Sequence, residues 1–156
     1  MTEAFRIGFA PDQTLNGQAY GSTLAAGKWH SLRAGPRPRR VIYAAATRAL
    51  AQLEKRVHAN RRQPVDQALF RLALPQDLDI ERADAVGLPP GWRDNEDASR
   101  AFGDAWLDAA VELALWVPSD VEPLESNILI NPDHPRAAEI RITVERDPFA
   151  FDPRLV

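Results

Sequence analysis

Hydrophobic residues recur at two periods along this chain. Phe5 to Phe9 forms a short apolar run, Ala68 to Leu74 alternates, and Ile140, Ile142 and Val144 alternate with Arg141, Thr143 and Glu145. A period of two sends successive side chains to opposite faces, so each segment predicts a strand, the last one half-buried. Val41 to Tyr43 and Asn127 to Ile130 predict two shorter strands. Tyr43 to His58 contains strong helix formers and no Gly or Pro, which predicts a helix. At the helical period Ala46, Leu50, Leu53 and Val57 form one apolar stripe, opposite Arg48, Gln52, Lys55 and Arg56. Ser99 suits the N-cap of a second helix, Arg100 to Leu115, whose stripe is Phe102, Trp106, Ala109, Ala110 and Leu113.

Between these segments lie loops. Gly17 to Gly27, rich in Gly, Ser and Ala, predicts a flexible loop, and Pro36 to Arg40 a basic, proline-broken one. Leu88-Pro89-Pro90-Gly91-Trp92 is turn chemistry, and Pro118 stops any helix before it. The tail from Asp147 carries two prolines and predicts irregular packed chain. Short strands interleaved with two or three helices point to a compact α+β domain spanning residues 1–156.

Composition narrows the function classes. A formal charge of −3 supplies no electrostatic reason to bind nucleic acid directly. With no cysteine, disulfides, thiolate catalysis and Cys-zinc sites are excluded, and a reducing cytoplasm is the expected compartment. The N-terminus lacks a signal-peptide pattern and no apolar run is long enough for a membrane span. His30, His58 and His134 fit no zinc spacing, so no metal is expected.

One residue breaks the pattern. Glu54 projects between Leu50 and Val57, on the apolar stripe. A buried carboxylate is costly unless paired, hydrogen-bonded or protonated. An ion pair with Arg6, Arg33 or Arg40 is the plain explanation; the functional one is a carboxylate that stabilises a developing cation or activates a nucleophile. Tyr43 shares its azimuth, but eleven helical residues separate the two by roughly 16 Å, so they would border one cleft without touching. Gly27-Lys28-Trp29-His30 places a cation beside an aromatic, without Walker spacing. Ser119 lacks a nucleophile elbow and suits a hydrogen-bond donor, and Ser126 to Pro135 is rich in polar side chains at strand and turn edges.

In order, these pieces resemble the RES domain, the toxin half of a bacterial toxin–antitoxin module. The matching motifs are Arg6 in FRIG, Gly27-Lys28-Trp29, Tyr43, Glu54 with Val57-His58, Pro118-Ser119, and Asn127 to Pro135 (NILINPDHP). The resemblance implies an NAD⁺-cleaving site on a fold related to ADP-ribosyltransferase toxins, and a Xre-like helix-turn-helix antitoxin that blocks the cleft. By motif position it implies Glu54, Ser119 and Arg6 as catalytic residues and Lys28, Trp29, Tyr43 and Asn127 as NAD⁺-binding residues. In those roles Glu54 faces the ribose, Tyr43 stacks on the nicotinamide, Arg6 and Lys28 hold the pyrophosphate, and Ser119 and Asn127 orient the amide or ribose. One departure stands out: the family's GRW arginine is Lys28 here, which keeps the charge but loses the planar fork, unless Arg33, Arg39 or Arg40 substitutes. Protein, water and phosphate are all open as acceptor, with protein preferred from the fold relationship and the altered turn. The rivals are an inert protein-binding module on the same scaffold and a binder of another nucleotide.

Overall fold

The computed structural model describes residues 1–156. Its strands are β1 (Glu3–Phe9), β2 (Arg33–Ala34), β3 (Arg37–Pro38), β4 (Ile42–Ala45), β5 (Gln67–Ala73), β6 (Ala114–Pro118), β7 (Ser126–Ile130) and β8 (Arg141–Arg146). Its helices are α1 (Leu15–Gln18), α2 (Arg48–His58) and α3 (Glu96–Ala109). Six strands form one sheet in the order β6-β7-β4-β1-β5-β8, every neighbour antiparallel, and β2 and β3 make a separate small hairpin. The architecture is α+β, as the strand and helix periods predict.

Register places the site. Residues directly opposite one another share a face. Tyr43 opposes Leu129, which opposes Leu115; Ala45 opposes Asn127, which opposes Val117. Phe5 opposes Ala45, and Ile7 opposes Leu69, so one sheet face carries all of these residues. Two helices cover that face at opposite ends. Leu50 and Ala51 of α2 pack on Phe5, Ile7, Ala45 and Leu69, with Phe149 and Phe151 from the tail. Leu107 of α3 joins Trp29, Trp92, Leu115, Val117 and Leu129. The other face is apolar, with Ala4, Ile42, Leu72, Ile128 and Ile130 at its core.

The central pairing is short. β1 runs against β5 from Glu3↔Ala73 to Phe9↔Gln67, but meets β4 only at Phe5↔Ala45. The sheet therefore splays between β1 and β4. A guanidinium bridges the gap: Arg6 donates from Nη1 to the Tyr43 carbonyl (2.9 Å), from Nε to Gln18 Oε1 (2.9 Å) and from Nη2 to the Gln18 carbonyl (3.1 Å).

Several boundaries differ from the sequence expectation. The first long helix starts at Arg48, not Tyr43, because Thr47 is extended and its Oγ1 accepts from the Leu50 N–H (3.0 Å). The helix-forming Tyr43-Ala44-Ala45 run belongs to β4, where pairing with β7 overrides propensity. The buried stripe moves with it: Leu50 and Ala51 are buried, whereas Leu53 is 45% and Val57 59% exposed. The second helix is capped by Asn95, which accepts from Ala98 N (3.2 Å), and ends at Ala110 in the left-handed region (φ 53°). Ser99 lies inside it, donating to the Lys28 carbonyl (2.7 Å). Its buried face is Ser99, Gly103 and Leu107 rather than a stripe reaching Leu113, which serves the opposite face of the sheet. Gly17 to Gly27 is ordered: it holds the last two residues of α1 and a 3₁₀ turn at Gly21–Thr23, with Gln18 and Ser22 buried. The tail is irregular up to a last 3₁₀ turn at Pro153–Leu155, and two buried phenylalanines anchor it.

Candidate active site

Between the two helix-covered ends of the sheet lies a cavity of about 690 Å³, with Tyr43, Ala45 and Asn127 along its floor. Glu54, Lys55 and Val57 of α2 form one wall, and Gly27, Lys28 and His30 contribute to another.

Glu54 is half-buried and has no cationic partner. Its Oε1 accepts from Ser119 Oγ (2.7 Å) and from Asn127 Nδ2 (2.7 Å). Both are short, charge-assisted bonds. Both use the same oxygen, leaving Oε2 free toward the cavity. Of the cations considered for an ion pair, Arg6 bridges the sheet gap, Arg40 pairs with Asp133 and Arg33 donates to the Pro36 carbonyl (3.0 Å). The acid is thus oriented by neutral donors and keeps an unmatched charge.

Ser119 is fully buried just past β6. Its Oγ accepts from the N–H groups of Val121 (3.1 Å) and Glu122 (3.0 Å). With both lone pairs engaged, the single hydroxyl proton goes to Glu54. Ser119 is therefore a fixed donor that positions the acid. Arg93 secures the same turn: Nη2 donates to the Ser119 carbonyl (3.1 Å), Nη1 reaches Asp120 Oδ1 (3.3 Å), and the guanidinium lies 4.6 Å from the Trp92 ring centroid. Asn127 gives its amide nitrogen to Glu54, and its Oδ1 is buried with no protein partner. An orphaned buried acceptor is unfavourable by itself and favourable once a ligand donor meets it.

Tyr43 anchors the opposite wall. The Ser22 carbonyl can only accept, so His30 Nε2 donates to it (3.0 Å) and carries the proton. Nδ1 then accepts the Tyr43 hydroxyl proton (2.6 Å), and the Tyr43 oxygen accepts from the Trp29 N–H (3.2 Å). Burial lowers the His30 pKa and keeps the imidazole neutral, and burial raises the Tyr43 pKa. A Cβ at position 27 would stand 2.6 Å from the Tyr43 hydroxyl, so only glycine admits this approach. The Trp29 indole packs in the core, 5.1 Å from Trp92 and 6.4 Å from Phe102 between centroids. Trp29 lines the cavity and also gives its backbone N–H to Tyr43.

Lys28 reaches the cavity but is occupied: Nζ is 3.4 Å from Asp120 Oδ2, donates to the Arg93 carbonyl (3.2 Å) and lies over Trp92. Arg39 is bound to Asp108 and Asp104, and none of Arg33, Arg39 and Arg40 lines the cavity. Arg6 meets only neutral acceptors, and desolvation brings its pKa down to about 10. Three of its five N–H groups are used, leaving two for a ligand. The structure thus brings Glu54, Ser119 and Asn127 into direct contact and puts Arg6, Lys28, Trp29 and Tyr43 on the same cavity. The sequence marks neither Arg93 nor Gln18, names His30 only as the neighbour of Lys28 and Trp29, and puts Lys55 on the polar face of its helix.

An acid held by a serine and an asparagine thus shares one cavity with a half-buried arginine. Residues 3–152 match the RES domain, and the chain belongs to that family. It is 35% identical over 142 residues to the "Prs ADP-ribosylating toxin" of Sphingobium sp. (strain YBL2), covering 87% of this chain and 84% of that protein. It is 36% identical over 138 residues to "Toxin Res" of Pseudomonas putida KT2440, covering 86% and 89% respectively. A "Toxin Res" of Yersinia enterocolitica is 31% identical over 139 residues.

Proposed function

We propose that this protein, working as one RES domain over residues 1–156, is the toxin of a bacterial toxin–antitoxin pair. It cleaves the nicotinamide–ribose bond of NAD⁺ and transfers ADP-ribose to a target protein. The observation that carries the reading is the Glu54 carboxylate, pinned by Ser119 and Asn127 through one oxygen and bare on the other. As the glycosidic bond breaks, its electron pair leaves with neutral nicotinamide and positive charge develops on the ribose. A preorganised carboxylate stabilises that charge, and its free oxygen can accept a hydroxyl proton from the ribose or acceptor. Arg6 presents two spare N–H donors to phosphate oxygens. The orphaned Asn127 Oδ1 suits the N–H of a carboxamide or a ribose hydroxyl. The Tyr43 ring supplies a flat wall whose hydroxyl is already satisfied within the protein. The Sphingobium relative, named an ADP-ribosylating toxin, favours a protein acceptor over water or phosphate. The partner expected to occlude the cavity is a Xre-like helix-turn-helix antitoxin, and the site of action is the cytoplasm.

The test is mass spectrometry of cell extract incubated with the protein and NAD⁺. An ADP-ribosylated protein that disappears with Glu54→Gln supports the reading. Accumulation of free ADP-ribose or its phosphate with no modified protein replaces transfer with NAD⁺ depletion. Unchanged NAD⁺ removes the enzymatic reading altogether.

A further inference from the structure

Lys55 is the cation of this cavity that no motif marks. Of the basic side chains lining it, Lys28 faces the Asp120 carboxylate. Arg6 and Lys55 face none. Lys55 Nζ donates to Gln67 Oε1 (2.8 Å), and the Gln67 amide nitrogen is directed to the Val65 and Asp66 carbonyls (3.3 and 3.4 Å). The amide is thereby oriented with its oxygen toward Lys55. The Lys55 pKa is lowered, mostly by burial and further by the positive charge of Arg6, so the two cations share one field. Two partly desolvated cations without a counter-ion are unfavourable in the free protein and become favourable when an anion enters between them. Lys55 also follows Glu54 directly, about 100° further round α2. One helical turn therefore sends the acid to Asn127 on β7 and the cation to Gln67 on β5, while both side chains line the cavity.

We propose that Lys55 is a substrate-binding residue, the second cation beside Arg6 for the diphosphate of the dinucleotide, and that Gln67 aims it. The inference rests on the NAD⁺ reading of the same cavity and adds to it a second grip on phosphate charge. Lys28, held by Asp120, is not the main phosphate contact.

The test is calorimetric titration with ADP-ribose, which carries the diphosphate and is not turned over, alongside NAD⁺ kinetics. Lys55→Met, which keeps the aliphatic stem, should weaken ADP-ribose binding about tenfold and raise KM for NAD⁺ while kcat changes less than threefold. Lys55→Arg should restore most of the affinity, as a merely structural lysine would not require. Gln67→Leu keeps the charge and loosens its aim; it should weaken binding about threefold, and it carries the test if Lys55→Met fails to fold. If the unaltered protein binds ADP-ribose and Lys55→Met and Gln67→Leu bind it equally well, the Lys55 inference falls while the NAD⁺ reading stands. If the unaltered protein binds neither ADP-ribose nor NAD⁺, both fall.

Discussion

α2 and α3 cover the same face of one sheet, yet they divide the labour. α3 buries Ser99, Gly103 and Leu107 and closes against Trp29 so tightly that a Cβ on Gly103 would stand 1.7 Å from the Trp29 carbonyl oxygen. α2 buries only Leu50 and Ala51, leaves Leu53 and Val57 largely exposed, and sends Glu54 and Lys55 into the cavity. Both helices have a side-chain N-cap, so capping does not separate them. The difference lies in what the buried face is used for. A helix packed without space can carry a wall but has no room for a ligand. One that covers half its width leaves the rest for charged groups, which need a partly open, low-dielectric site to act strongly.

That contrast can be broken or sharpened, starting with the largest effect. Glu54→Gln keeps the shape and removes the charge. NAD⁺ consumption should fall about a hundred- to a thousandfold while the thermal midpoint stays within a few degrees, read by product assay and circular dichroism. Gly103→Ala on α3 should do the reverse. Its new methyl collides with backbone rather than a flexible side chain, so unfolding in urea should show a loss of about 3 kcal/mol. The residual folded fraction should retain near-normal KM. If Gly103→Ala instead abolishes activity with no loss of stability, the division between the helices is wrong.

Ser119→Ala should come next. It removes one of two donors on the Glu54 oxygen and leaves the Val121 and Glu122 N–H groups without their acceptor. We expect kcat to fall about ten- to a hundredfold with little change in KM, a split that separates positioning from binding. An unchanged kcat would show that Asn127 alone orients the acid.

The smallest effect concerns pH. His30 is buried and neutral, with a pKa below its usual value near 6.5 because of desolvation. Its unfolded form therefore binds a proton first as pH falls. Its contribution to stability is fully present above about pH 6.5 and is lost as pH drops toward the lower folded-state value. Each pH unit within that window weakens the fold by at most about 1.4 kcal/mol from this group. Thermal midpoints between pH 7 and 5 should decline, and His30→Gln should flatten the slope. A midpoint insensitive to pH in the unaltered protein would contradict the neutral-imidazole assignment.

Strands were legible in the sequence because a period of two is a local property. Glu3–Phe9, Gln67–Ala73, Ser126–Ile130 and Arg141–Arg146 lie within a few residues of their expected places. The helix starts were less legible. Tyr43-Ala44-Ala45-Ala46 has helical propensity, and only pairing with β7 makes most of it strand. That shift of register explains why Glu54 reads as an acid on an apolar stripe in the sequence and stands at a cavity wall in the fold. Leu53 and Val57, two members of that stripe, are largely exposed, and Val57 lines the same cavity wall as Glu54. The family resemblance named Glu54, Ser119 and Asn127 together because their motif order survives in the chain; the RES match over residues 3–152 agrees with the family, and the structure brings the three side chains into contact. It carried no information on Lys55, Gln18, Arg93 or His30.

By itself, then, the sequence determined the α+β class, the strand periods, the absence of thiol chemistry and the anomaly of Glu54 among apolar neighbours. These depend on residue type and on neighbours a few positions away. Tertiary structure alone decided that β1 and β4 part after one residue pair, that Arg6 bridges the gap, and that Ser119 and Asn127 meet on a single oxygen of Glu54. It also decided that Asp120 occupies Lys28 while Lys55 faces the cavity beside Arg6 with no acid of its own. Contacts between residues some 65 positions apart depend on how strands pair and helices dock, and no local period encodes that distance.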